Sequence, residues 1–233
     1  EKDNLPENVV CITHTNNQKE LAEIYYNNNL LIDDVSNMVL CKNVQGFIKN
    51  KQGEYMVHKG LPGFYHNHEP IYLNLFNLSN IEFLAEPRKY NKVVVMENPA
   101  VFMEVSENCS KYDFPLVCTY GQVKLSGLVL LDMFVKQGYK ICYSGDLDPE
   151  GIQIADKLKL RYKESLSFLG FDVNTYNNNL SNVILSESRI KKLDGVNSAE
   201  LKNVCEVVRD KMRASYEEAN IKNIVEYIEL MEE

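Results

Sequence analysis

No two of the six cysteines (Cys11, Cys41, Cys109, Cys118, Cys142 and Cys205) are spaced as CxxC. That argues against a structural zinc site, which gathers its thiolates in close pairs. Most of the six lie in apolar surroundings such as Leu116-Val117-Cys118, so reduced thiols packed in a cytoplasmic core are expected. No apolar run reaches the ~18–20 residues of a membrane span, and no membrane partner is expected. The polar start, Glu1-Lys2-Asp3-Asn4, carries neither a signal peptide nor an initiator Met. It reads as a piece cut from a longer protein whose N-terminal half is missing. A basic excess is lacking too: 25 Lys and Arg stand against 33 Asp and Glu, a net charge of −8. This argues against a broad basic face for nucleic acid, yet leaves room for a metal-assisted enzyme built from carboxylates. There is no internal repeat and no low-complexity tract beyond short asparagine runs. With 45% hydrophobic and 25% charged residues, disorder, collagen and a disulfide miniprotein are excluded.

What is present is an alternation of strands and helices that sharpens after Tyr90. Before it, periodicity predicts a strand at 9–12, a helix at 18–26, a strand at 38–41 and another over 70–78. Loop signals fall at Asn50-Lys51-Gln52-Gly53 and Gly60-Leu61-Pro62-Gly63. The run Lys92-Val93-Val94-Val95-Met96 suits a strand buried on both faces of a parallel sheet. A helix over 99–109, with Pro99 at its start, leads to a second strand at 114–118. A helix over 122–137, stopped by Gly138, leads to a third at 139–143. An amphipathic helix over 149–169 and a fourth strand at 171–176 complete the series. This order predicts a doubly wound α/β domain. In the tail, Asn197 and Glu200 suggest a capping box before a helix with Leu201, Val204, Cys205, Val208 and Met212 inward. Ile221, Ile224, Val225 and Ile228 continue that helix or form a second. The division expected is 1–88 as a mixed α/β region, 89–178 as the α/β domain and 179–233 as a helical extension.

Open α/β sheets bind ligands beyond the carboxyl ends of their strands. After the first strand stands Glu97-Asn98-Pro99, after the second Thr119-Tyr120-Gly121-Gln122, and after the third Gly145-Asp146-Leu147-Asp148-Pro149-Glu150. Asp146 and Asp148, two apart in an extended segment, point the same way, and Glu97 can face them. Three carboxylates so placed repel one another unless a cation sits among them, and a hard ion such as Mg²⁺ or Mn²⁺ suits oxygen ligands. A plainer reading covers part of this: Asp148 and Pro149 make a good helix start, and Glu150 suits the helix dipole. It leaves Asp146 and Glu97 unexplained.

On these residues the segment resembles a Toprim domain, the fold shared by topoisomerases, DnaG-type primases and several nucleases. Glu97 after the first strand and Asp146/Asp148 after the third match the Glu and Asp-x-Asp of that fold in order. It is most similar to the topoisomerase VI A subunit type, through Met96-Glu97-Asn98-Pro99-Ala100-Val101-Phe102, the Thr119/Gly121 turn and the run from Asp146 to Ile152. The whole chain is similar to the C-terminal part of an uncharacterised bacterial family that itself resembles the Toprim nuclease subunit of Wadjet plasmid-defence systems. The resemblance implies a Toprim-like sheet and DNA as substrate. It also implies a Mg²⁺-dependent endonuclease in plasmid or phage defence, with protein partners of a defence complex. Glu97, Asp146 and Asp148 would be catalytic and hold the metal, with Glu150 as a further ligand or water-binder, and the Thr119/Gly121 turn would lie at the nucleic acid. Read from the residues alone, Lys124 and Arg88 are candidate phosphate contacts, with an exposed helix lysine and a charged loop as the commoner readings. None of the 14 tyrosines sits in a catalytic pattern, which favours hydrolysis over covalent strand transfer.

Weaker signals read more plainly. His66 and His68 lack a third ligand nearby and are expected in a solvated loop. Arg88, Lys89 and Lys92 form a small basic cluster of the kind common in charged loops, and Glu217 and Glu218 are expected at the surface. A non-catalytic Toprim module for DNA or partner binding is the alternative. A response-regulator-like phosphohydrolase is disfavoured because Glu97 stands where an Asp is needed.

Overall fold

The structure, a computed structural model, describes residues 35–87 and 89–231. The strand and helix expected at 9–12 and 18–26, with Cys11 and Arg88, lie outside the described residues. A compact unit begins at Asn37. It opens with β1 (Met38–Lys42), β2 (Gly46–Lys49), β3 (Tyr55–Val57), α1 (Leu61–His66), β4 (Ile71–Asn74), α2 (Leu75–Asn80) and β5 (Phe83–Leu84). The alternating series follows: β6 (Lys92–Met96), α3 (Pro99–Asn108), β7 (Leu116–Cys118), α4 (Leu125–Lys136), β8 (Lys140–Tyr143), α5 (Pro149–Tyr162) and β9 (Leu166–Phe168). It closes with α6 (Val173–Asn178), β10 (Leu180–Ile184), α7 (Glu187–Ile190), α8 (Lys202–Lys211), β11 (Arg213–Ser215) and α9 (Ile221–Leu230).

The main sheet has six strands in the order β4-β1-β7-β6-β8-β9. β7, β6, β8 and β9 run parallel, and β1 pairs antiparallel with β7 and β4. The sheet is therefore mostly parallel and draws strands from both sides of residue 88. Each face is covered, which is why the strands read as near-continuous apolar runs. One face carries Val93, Val95, Val117 and Ile141 against Leu130, Leu131 and Phe134 of α4 and Ile152, Ala155 and Leu158 of α5. The other carries Val94, Met96, Leu116 and Cys118 against Val101, Phe102 and Val105 of α3 and Ile224 and Ile228 of α9. Residues 93 to 96 are fully buried, and each such side chain contributes about 1.5–3 kcal/mol of apolar burial. Cys41, Cys109, Cys118, Cys142 and Cys205 are buried free thiols. Burial pushes Cys41 and Cys118 up to about 12, where little thiolate forms. Among the described residues no helix is long and apolar enough to cross a membrane.

Several expected elements are corrected. The strand over 70–78 stops at Asn74, because the Asn74 side chain accepts from the Asn77 amide while Asn77 reciprocates, a capping box that starts α2. The helix over 149–169 ends at Tyr162, where Lys163 turns left-handed with φ 48°. The apolar stripe continues past that break as β9, so the fourth parallel strand is Leu166–Phe168, not 171–176. Residues 173–178 form α6, capped by Asp172, whose carboxylate accepts from the Asn174 and Thr175 amides. Asn197 and Glu200 make no capping box: a 3-10 turn starts at Ala199 with no side-chain cap. The Asn197 and Ser198 amides donate instead to Asp156. The tail is not purely helical, since β10 and β11 pair antiparallel within it. Leu201, in the 3-10 turn before α8, is buried with Val204, Cys205 and Val208 of α8, whereas Met212 is the left-handed C-cap of that helix. Ile221 begins a second helix.

Candidate functional site

Parallel pairing of β6 with β8 brings Val95 beside Tyr143, so Glu97 and the Ser144-Gly145-Asp146 turn leave the sheet at one edge. Neighbouring strands are about 4.8 Å apart, and the two acidic turns face each other across that interval. Tyr143 donates its hydroxyl to Glu97 Oε2 at 3.3 Å. Gly145 lies close to both: a Cβ there would be 2.8 Å from Glu97 Oε2 and 3.0 Å from the Tyr143 hydroxyl, so the Glu97 carboxylate would have to shift. Burial first, and then the charge of Asp146, pushes Glu97 up to about 7. Burial likewise raises Asp146 to about 6, with Asp148 adding to the rise and a hydrogen bond from the Glu217 amide opposing it.

Asp148 sits deeper, 7% exposed, and does two jobs. Its Oδ1 accepts from the Gly151 amide at 2.8 Å and caps α5. Its Oδ2 is ion-paired with Arg189 of α7. Glu150, in the first turn of α5, takes Arg189 Nε at 3.0–3.1 Å and Lys192 Nζ at 2.7 Å. Burial alone would raise Glu150, but Arg189 and then Lys192 hold it down at about 2. Thus the structure gathers Glu97 and Asp146 as a strained pair, with Asp148 adjoining. Glu150 turns to a cationic neighbour.

Glu217, expected at the surface, is instead 1% exposed. Its carboxylate accepts from the Asn98 amide at 2.8 Å and the Glu97 amide at 3.1 Å, and its own amide donates to Asp146 Oδ1 at 2.9 Å. Burial pushes it up to about 8. The segment reaches the site because Ser215 and Leu147 exchange backbone hydrogen bonds at 2.8 and 3.2 Å. Glu218 is exposed, as expected, and accepts from the Asn98 side chain at 2.6 Å. Nothing local in Tyr216-Glu217-Glu218 marks one glutamate as buried; the only cue is its position just past a short strand.

The other expected contacts are more dispersed. Gly121, at φ 74°, donates its amide to the Glu97 carbonyl at 3.3 Å and lies beside the cluster. Thr119 is 3% exposed, with its hydroxyl donating back to the Met96 carbonyl at 3.4 Å, so it faces the sheet. Lys124 is exposed just before α4. Lys92 starts β6, at the end opposite Glu97, and donates to the Tyr227 hydroxyl at 3.1 Å; Lys89 stacks on Tyr90. His66 ends α1 and His68 follows in a left-handed turn, both exposed.

Among the described residues no three His, Cys, Asp or Glu side chains form a ready metal cage. The donors of the cluster nonetheless suit a hard divalent cation in kind. They are carboxylate oxygens on two strand ends, and their protons are held tightly chiefly because the groups are buried, with neighbouring carboxylates adding to the rise. Asp148 offers its second oxygen only in exchange for Arg189.

No curated protein matches the chain. The family described as Protein of unknown function C-terminus (DUF2399) matches residues 71–228. That span runs from β4 to α9 and includes the whole acidic edge. It covers more than half of the sequence, and the chain therefore belongs to the DUF2399 family.

Proposed function

We propose that this chain is a Toprim-like module that hydrolyses DNA phosphodiester bonds with Mg²⁺ or Mn²⁺. The observation that carries the reading is the convergence of Glu97 and Asp146 at the carboxyl edge of adjacent parallel strands, where burial and then the charge of Asp146 raise the proton affinity of Glu97. The resemblance of Glu97, Asp146 and Asp148 to the Toprim Glu and Asp-x-Asp supports the same reading. In it, Glu97 and Asp146 hold the cation, and Asp148 joins when Arg189 moves to another anion, for which a DNA phosphate is the natural candidate. The bound ion supplies charge neutralisation at the scissile phosphate and lowers the pKa of an attacking water. The chain's own residues orient it: Tyr143 steadies Glu97 through its hydroxyl, and the Gly121 amide ties the β7 turn to the Glu97 carbonyl. In this reading Gly121, beside Glu97, and the exposed Lys124 contact the DNA backbone. DNA and subunits of a plasmid- or phage-defence complex are the partners in this reading.

The test is supercoiled plasmid incubated with the full-length protein and Mg²⁺ or Mn²⁺, beside Glu97→Gln and Asp146→Asn. Cutting by the wild type that both substitutions abolish supports hydrolysis. A second reading, a non-catalytic Toprim module, is favoured by the engagement of Asp148 and Glu150 with Arg189. It predicts DNA or partner binding with no cutting by any form.

A further inference from the structure

We infer that Glu217 is a positioning residue that sets the separation of Glu97 and Asp146 and so the cation affinity of the cluster. This rests on the hydrolytic reading above and extends it to a residue outside the α/β series.

Three bonds carry the inference. The Glu217 carboxylate accepts from the backbone amides of Glu97 and Asn98 at 3.1 and 2.8 Å, which fixes the exit of β6. Its own amide donates to Asp146 Oδ1 at 2.9 Å, which fixes the rotamer of the facing acid. The bridge between Ser215 and Leu147 anchors the same segment to the turn between Asp146 and Asp148. One residue thus holds both acidic turns: its carboxylate grips the β6 exit through backbone amides, and its amide grips one Asp146 oxygen and leaves the other unengaged by Glu217. The side chain is enclosed, 1% exposed, and its oxygens are spent on amides. A direct ligand would need an oxygen turned to the cleft. Groups that orient metal ligands in this way change metal affinity by about 10–100-fold when lost.

The decisive comparison separates charge from reach. Glu217→Gln keeps the length and one acceptor oxygen, placed to serve both amides, while losing the charge. Glu217→Asp keeps the charge but is shorter by one bond and falls short of them. Mn²⁺ affinity is measured by calorimetry on the full chain, with thermal melts to confirm folding and hydrogen exchange at the Glu97 and Asn98 amides. The expected result is wild-type affinity within about threefold for Glu217→Gln, and a loss of about 10–100-fold with faster exchange at both amides for Glu217→Asp. Loss of affinity in Glu217→Gln, or wild-type affinity in a folded Glu217→Asp, overturns the positioning role while leaving the hydrolytic reading intact. A folded wild type that binds no Mn²⁺ overturns both.

Discussion

The Glu217 amide donates to the Asp146 carboxylate at 2.9 Å across 71 residues of chain. Together with the Ser215–Leu147 bridge, that bond joins the tail to the acidic turn after β8. Glu97, Asp146 and Glu217 are all pushed well above the usual carboxylate range, first by burial.

Removing one charge should relieve the repulsion and remove the function together. Glu97→Gln or Asp146→Asn is expected to raise the metal-free melting temperature by about 2–5 °C while lowering metal-dependent plasmid cutting by about 100-fold or more. A function-bearing site often destabilises its fold in this way. Paired melts and cutting assays check both halves; a lower melting temperature would contradict the repulsion.

The same groups set a pH dependence. Glu97 at about 7, Asp146 at about 6 and Glu217 at about 8 bind protons more tightly in the native state than in the unfolded chain. The folded protein therefore holds extra protons between the unfolded and folded values, and stability falls as pH rises through that window. Below it, Glu150, held at about 2 by Arg189 and Lys192 against its burial, works in the opposite sense. The metal-free melting temperature should peak near about pH 4 and drop by about 5–10 °C or more by pH 8. Millimolar Mg²⁺ should flatten the alkaline side, because the bound ion replaces the protons. Calorimetric melts across that range check the sign.

Arg189 pairs with Asp148 and Glu150 at once. Arg189→Gln should cost about 1–3 kcal/mol of stability through lost charged hydrogen bonds, yet tighten Mn²⁺ binding by freeing Asp148. Denaturant unfolding and calorimetry read the two effects separately, and weaker Mn²⁺ binding would assign Arg189 to holding Asp148 in place.

Gly151 leaves no room for a side chain: a Cβ would collide with the carbonyl oxygen of Asp146. Backbone cannot yield as a flexible side-chain tip does, so Gly151→Ala should destabilise by about 1–3 kcal/mol or more and misplace Asp146. Melting with Mn²⁺ titration checks it; Gly63→Ala, where nothing lies within 4 Å of the added Cβ, is the control.

The parallel strands were legible because burial on both faces leaves an unbroken signature, as in Val93-Val94-Val95-Met96. Glu97 and Asp146 were legible because parallel strands must end at one edge. The true last strand was hidden: Leu166 and Phe168 continue the apolar stripe of α5, and only the left-handed Lys163 separates them. Asp172 could have revealed the α6 start, since a cap before Val173-Asn174-Thr175 is a local signal. Glu217 had no such signal. Its burial depends on β11 reaching Leu147 through tertiary contact, which no periodicity records.

That reach also gives the site a timetable. During synthesis, the α/β strands emerge first, and at the usual ribosomal pace of about 5–20 residues per second the tail follows several seconds behind. Until Ser215 and Glu217 arrive, the acidic turns of a nascent chain lack their brace. Any product that breaks off between β9 and β11 would keep the three acids of the sheet edge and still lack what holds them apart. The acidic turns therefore gain the contacts of Glu217 only in chains translated past that point.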